Sequence, residues 1–231
     1  MSSIHTTLAR ELGLTAAQVA AVIALVDEGN TIPFIARYRK EATGGMDDAQ
    51  LRTFDERLAY LRNLEARKAE VLHAIDEQGK LTPELRAKIE AAEVMQRVED
   101  LYKPFKKKRA TRASKARDAG LEPLALLILA QGRSDKSPLA LAAGLVNAEA
   151  GFPTPEAALQ GAQDIVAEVV ADDAEHTEAL RAFTLRTGAL AVEAVDPQEK
   201  TVYEAYYDFS EPLSRIPNHR VLAVNRGEKE G

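Results

Sequence analysis

An all-α fold is the expectation for this 231-residue chain: an elongated multi-helical bundle with one long helix and a helix-turn-helix-like element near its end. Three observations lead there. Aromatics make up 5% of the residues and Trp is absent, so a core must come from Leu, Ala, Val and Ile, which suit packed helices better than a β-sandwich. Helix start and stop signals recur, with Thr-Pro openings at residues 82–83 and 154–155 and Gly closures after most apolar segments. Apolar residues spaced mostly three or four apart persist over residues 51–75 with no Pro or Gly between them.

The elements follow in order. Thr15 precedes AAQVAAVIALVDE with Gln18 three positions on, a capping-box pattern, and Gly29 stands where a helix ends. Thr31 and Pro33 open a short helix, IPFIARYRKEA, stopped by Gly44 and Gly45. Its residues Ile32, Ile35 and Ala36 can bury one face while Arg37, Arg39 and Lys40 point out. Asp47 caps the long helix over residues 47–78, whose apolar stripe is Leu51, Phe54, Leu58, Leu61, Leu64, Leu72 and Ile75. At 1.5 Å per residue it is a strut of roughly 45 Å. Pro83 starts a helix reaching about Tyr102, where Pro104 stops it, and Gly120 closes a short helix containing SKARDA. LEPLALLILAQG reads as a fully buried helix. Two more helices follow, EAALQGAQDIVAEVVADD and AEHTEALRAFTLR, and ALAVEAV alone alternates like a strand. The tail reads as two short helices separated by Ile216 and Pro217, a helix-turn-helix-like arrangement with Arg215, His219, Arg220 and Arg226. The expected division is a region of residues 1–130, with the long helix and a basic loop, and a second helical region of residues 131–231.

Composition narrows the function classes. With no Cys, disulfide frameworks, zinc ribbons and thiolate nucleophiles are excluded. The start, MSSIHTTLAR, has no apolar signal core, and no apolar run is long enough to span a bilayer. The expectation is a soluble, cytoplasmic protein with no membrane partner. His5, His73, His176 and His219 share no metal-ligand spacing; Asp172 and His176, four apart, could share a helix face but are too few for a metal site. No acyl-transfer motif is present, and the Gly44-Gly45 pair lacks the Lys-Ser/Thr ending of a phosphate-cradling loop. No enzyme, cofactor or metal is expected.

Charge is the informative feature. Formal net charge is −6, yet residues 103–117 hold Lys103, Lys106, Lys107, Lys108, Arg109, Arg112, Lys115 and Arg117 with no acid among them. With those eight of the 30 basic residues set aside, 22 face 36 acids, a net of −14. Lys106, Lys107, Lys108 and Arg109 follow a Pro and should lie on a loop, with Arg112, Lys115 and Arg117 on the helix beyond, and Tyr102 and Phe105 flank them as stacking platforms would. These eight are the candidate contacts to an RNA or DNA backbone. Two other readings stay open at this point: pairing with acids of the acidic body, and protein docking.

Three stretches, GNTIPFIARYRKEATGGMDDAQLR, EDLYKPFKKKRATRASKARDAGLEPLA and YYDFSEPLSRIPNHRVLAVNRGEKEG, resemble the N-terminal region of the bacterial Tex proteins, the transcription accessory family, over nearly the whole chain. That family is related to a eukaryotic elongation factor of the Spt group. KPFKKKRATRA departs from the family pattern, which often has Pro at the position of Lys107 and a basic residue at that of Ala110. The resemblance implies a fragment of a longer protein that continues into an RNase-H-like domain, helix-hairpin-helix motifs and an OB-fold RNA-binding domain. It also implies a non-enzymatic role in transcription, as scaffold and auxiliary nucleic-acid contact. The alternative is an interaction module docking transcription machinery or the remaining domains of the full-length protein.

Overall fold

The computed structural model describes residues 3–106 and 110–230. It is mostly α-helical, with thirteen α-helices and one two-stranded sheet among the described residues. Two compact units divide between Tyr102 and Lys103, whereas the sequence reading divides the chain after residue 130.

In the first unit, helices α1 (Ser3–Leu12), α2 (Ala16–Asp27), α3 (Ile32–Tyr38) and α4 (Lys40–Thr43) precede the long α5 (Asp48–Asp76), then α6 (Pro83–Glu90) and α7 (Met95–Tyr102). The α2 and α5 starts carry reciprocal capping boxes, Thr15 with Gln18 and Asp47 with Gln50. Helix α5 is unbroken. Its buried face is Leu51, Phe54, Leu58, Leu61, Leu64, Lys68, Val71 and Ile75, so Val71 and the stem of Lys68 fill the stripe that sequence assigned to Leu72. Lys68 is buried because Nζ donates to Glu65 Oε1 at 2.8 Å and to the Glu90 carbonyl at 2.9 Å, which ties α5 to the end of α6. Leu8, Val19, Val22 and Ile35 pack against Leu51, Phe54 and Leu58 as one core.

Two expected helices are interrupted. The IPFIARYRKEA segment breaks at Arg39 into α3 and α4, and the segment after Thr82 breaks over residues 91–94 into α6 and α7. At the second break the Met95 amide donates to Tyr60 Oη at 3.0 Å, so a side chain of α5 takes up a backbone group left at a helix start. Gly44 ends α4 in the left-handed region (φ 70°), and a Cβ there would come within 2.3 Å of Gln18 Nε2. That close approach lets Gln18 donate to the carbonyl of the buried Thr43, fastening α4 to α2.

The second unit opens with a 3₁₀ turn (Lys103–Phe105), then α8 (Arg112–Asp118), α9 (Glu122–Ala130), α10 (Pro138–Ala142), α11 (Pro155–Asp172) and α12 (Ala174–Thr187). Its core is built from small residues: Ala113 and Ala116 of α8, Ala125 of α9 and Ala142 of α10 pack with Ala158 and Ala162 of α11, alongside Leu121, Leu124 and Ile165. Small side chains let helices approach closely. At Gly161 a Cβ would meet Leu121 and Phe152 at 2.6 Å.

Strand β1 (Ala189–Glu193) pairs antiparallel with β2 (Asp208–Pro212), Ala191 opposite Ser210, and α13 (Asn218–Glu230) ends the chain. The tail therefore corrects the sequence expectation. Only its second helix forms; the stretch expected as the first is a 3₁₀ turn (Glu204–Tyr206) followed by β2, because ALAVE supplies the partner strand that DFSEP needs for its backbone hydrogen bonds. No helix-turn-helix is built there. A second correction concerns α9, which was expected to be fully buried. Leu124 and Ala125 are buried, but Leu126 and Leu127 are 59% and 56% exposed, since α9 packs through one face only.

Candidate nucleic-acid interface

The basic segment begins on the 3₁₀ turn and runs onto α8, which Thr111 caps by accepting from the Ser114 amide at 3.0 Å. Ala113 and Ala116 bury one face of α8 against α11, which directs the cations on either side of that face toward the α11 surface or away from it. Facing α8, helix α11 carries Asp164, Glu168 and Asp172, four residues apart and so on one stripe of the helix. All three side chains are largely covered, at 16%, 16% and 12% exposure.

Each acid meets a cation of the segment. Glu168 Oε1 accepts from Arg117 Nη1 at 2.6 Å, and Oε2 accepts from Thr111 Oγ1 at 3.1 Å, so one carboxylate holds both the start and the end of α8. Arg117 also lies 3.8 Å from Glu122, at the start of α9. Arg112 Nε lies 3.7 Å from Asp164 while its side chain remains 85% exposed. Lys103 Nζ donates to the Ala171 carbonyl at 2.8 Å and sits 3.5 Å from Asp172, placing a cation at the C-terminal end of α11, where the helix dipole is negative.

The remaining candidates divide differently. Lys115 is exposed and forms no ion pair among the described residues. Lys106 is exposed and takes part in an interaction. Lys107, Lys108 and Arg109, the centre of the expected loop, lie outside the described residues. Of the flanking aromatics, Tyr102 is half-buried with the Arg67 guanidinium 5.5 Å from its ring centre, and Phe105 is half-buried. The acidic stripe of α11 is the part that sequence reading passed over. The three acids stand in the sequence at i, i+4 and i+8 of one helix, but nothing local says which cations they meet.

Elsewhere the expected residues separate. Arg220 is held by Glu211 of β2 and Arg226 lies 3.7 Å from Glu230, so these two tail cations are engaged locally. His176 Nδ1 lies 3.2 Å from Asp173 Oδ1, whereas Asp172 faces Lys103. Among the described residues no group of three or more His, Asp or Glu side chains is placed to hold a metal ion. No single helix there is long and apolar enough to cross a membrane.

Residues 2–76 match the family described as the Tex-like protein N-terminal domain, and residues 133–231 match the one described as Tex central region-like. The chain is 51% identical over 226 residues to the protein Tex of Bordetella pertussis, covering 97% of this chain and 28% of that protein. It is 47% identical over 231 residues to the transcriptional accessory protein Tex of Neisseria gonorrhoeae, covering 99% of this chain and 30% of that protein. It is 28% identical over 218 residues to the human S1 RNA-binding domain-containing protein 1, covering 90% of this chain and 22% of that protein. The chain thus spans less than a third of the length of each of these relatives.

Proposed function

The chain belongs to the Tex family, and from that premise we propose that it is a non-enzymatic helical scaffold and auxiliary nucleic-acid-binding module of a transcription accessory factor working in the cytoplasm. The observation that carries the reading is the density of cations in residues 103–117 on an acidic chain, with Lys115 exposed and in no ion pair among the described residues. Arg117 braces α8 on α11 through Glu168, Lys103 fastens the preceding turn to the end of α11, and Arg112 lies near Asp164. Lys106, Lys107, Lys108, Arg109 and Lys115 are the phosphate contacts. Such contacts attract any RNA or DNA backbone without reading sequence.

Salt dependence tests this. With about four phosphates neutralised, log K for duplex DNA falls against log salt with a slope of roughly −3 to −4. Replacing Lys106, Lys107, Lys108 and Arg109 by Ala should flatten that slope and leave the fold intact, since charges on a loop, where the sequence puts these four, contribute little to stability. An unchanged slope in the variant overturns the reading.

One observation favours a second reading, docking of transcription machinery or of further domains. Leu126, Leu127 and Leu129 of α9 leave an apolar face in solvent. Under that reading, association with purified RNA polymerase is insensitive to nuclease and salt and is lost on Leu126→Asp.

A further inference from the structure

The first unit carries an exposed surface of a different kind, on α3 and the start of α4. Phe34 and Tyr38, four apart on α3, expose 37% and 59% of their surface, with ring centres 5.1 Å apart at an interplanar angle of 47°. Arg39 places its guanidinium 5.4 Å from the Phe34 ring centre. Arg37 and Lys40 are exposed beside them, and among the described residues neither forms an ion pair, with Glu41 or any other acid.

We propose that Phe34, Tyr38, Arg37, Arg39 and Lys40 form a binding platform for single-stranded nucleic acid, separate from the 103–117 segment. The chemistry matches on both counts. Unpaired bases expose π-faces that stack on aromatic rings and on a guanidinium plane, and the phosphates between them need cations not already neutralised by the protein. A duplex has its base faces covered by stacking and cannot use the two rings. The platform is also held in place. Ile35 is fully buried in the core beneath it, and Gln18 ties Thr43 of α4 to α2, so little ordering remains when a ligand binds.

The test uses this chain with a fluorescent oligouridine of about 15 nucleotides, and a duplex of the same length as control. Phe34→Ala with Tyr38→Ala should weaken oligouridine binding at least tenfold and leave duplex binding unchanged, while Phe34→Tyr, which keeps the ring, should retain it. Arg37→Gln with Lys40→Gln should reduce the single-strand salt slope by about 1.4, at roughly 0.7 per phosphate contact. Far-UV circular dichroism and the thermal midpoint confirm that each variant is folded. Single-strand binding unchanged in the aromatic variant overturns the proposal. So does an equal loss of duplex binding, and so does equal displacement of oligouridine by polyglutamate in parent and aromatic variant, which would make the surface an acidic-peptide site. The 106–109 variant reports on the other segment. If it removes all binding while the aromatic variant removes none, this platform fails and the first site stands.

Discussion

Arg57 donates through Nε and Nη2 to the two oxygens of Glu11, at 2.6 and 2.8 Å, with its guanidinium 4.8 Å from the Tyr60 ring centre. These hydrogen bonds hold the Glu11 carboxyl below the usual range for glutamate. A carboxylate whose folded pKa is depressed contributes stability above its unfolded value, about 4.3, and loses it as pH falls through the folded value. Glu11→Gln should therefore cost about 0.5–1 kcal/mol at neutral pH, and the difference between parent and variant should shrink at an acid pH below the unfolded value. Urea unfolding at both pH values checks this. Arg117 is a more demanding case. Its removal deprives the largely covered Glu168 of a 2.6 Å hydrogen bond, so Arg117→Ala should destabilise the second unit by about 1–2 kcal/mol. Lys115→Ala, on the same short helix but exposed and in no ion pair among the described residues, should change stability by less than about 0.5 kcal/mol. A Lys115 effect as large as that of Arg117 would refute the division between bracing and outward-facing cations.

At the scale of elements, α5 is the clearest case of local sequence determining structure. Its cap, its stripe and the absence of Pro or Gly all agree, and the helix is continuous over 29 residues. Leu58 is 1% exposed at the centre of the first unit's core, so Leu58→Ala should cost about 2–5 kcal/mol, measured by chemical denaturation. A change under about 0.5 kcal/mol would mean that this face is not packed. Helix α9 shows where local reading fails. Its leucines run almost without interruption, so they carry no periodic signal to say which of them face α11. The tail fails for a related reason. DFSEP contains a Pro and no clean alternation, and it becomes a strand only because β1 stands beside it. The candidate site was half legible: the run of cations and the spacing of the α11 acids are evident in the sequence, and the pairing of three of those cations with those acids is not.

For the whole molecule, the units matter more than the elements. Leu121, Leu124 and Ala125 share a core with Ala158, Ala162 and Ile165, so a cut after residue 130 divides one core. Residues 103–231 alone should unfold in a single cooperative transition. Residues 131–231 alone, stripped of α8 and α9, should show none, and calorimetry distinguishes the two. A cooperative transition in the shorter piece would restore the boundary at 130. By itself the sequence determined the helical class, the caps, the continuity of α5 and the family, because these depend on spacings of three to seven residues or on the order of residues alone. Tertiary structure decided which cations meet acids. Thr111 and Arg117 reach Glu168 across 57 and 51 positions, and Lys103 reaches Ala171 across 68. No short-range pattern encodes such meetings; they follow from alanine and glycine surfaces that allow α8 and α11 to pack closely enough for opposite charges to pair.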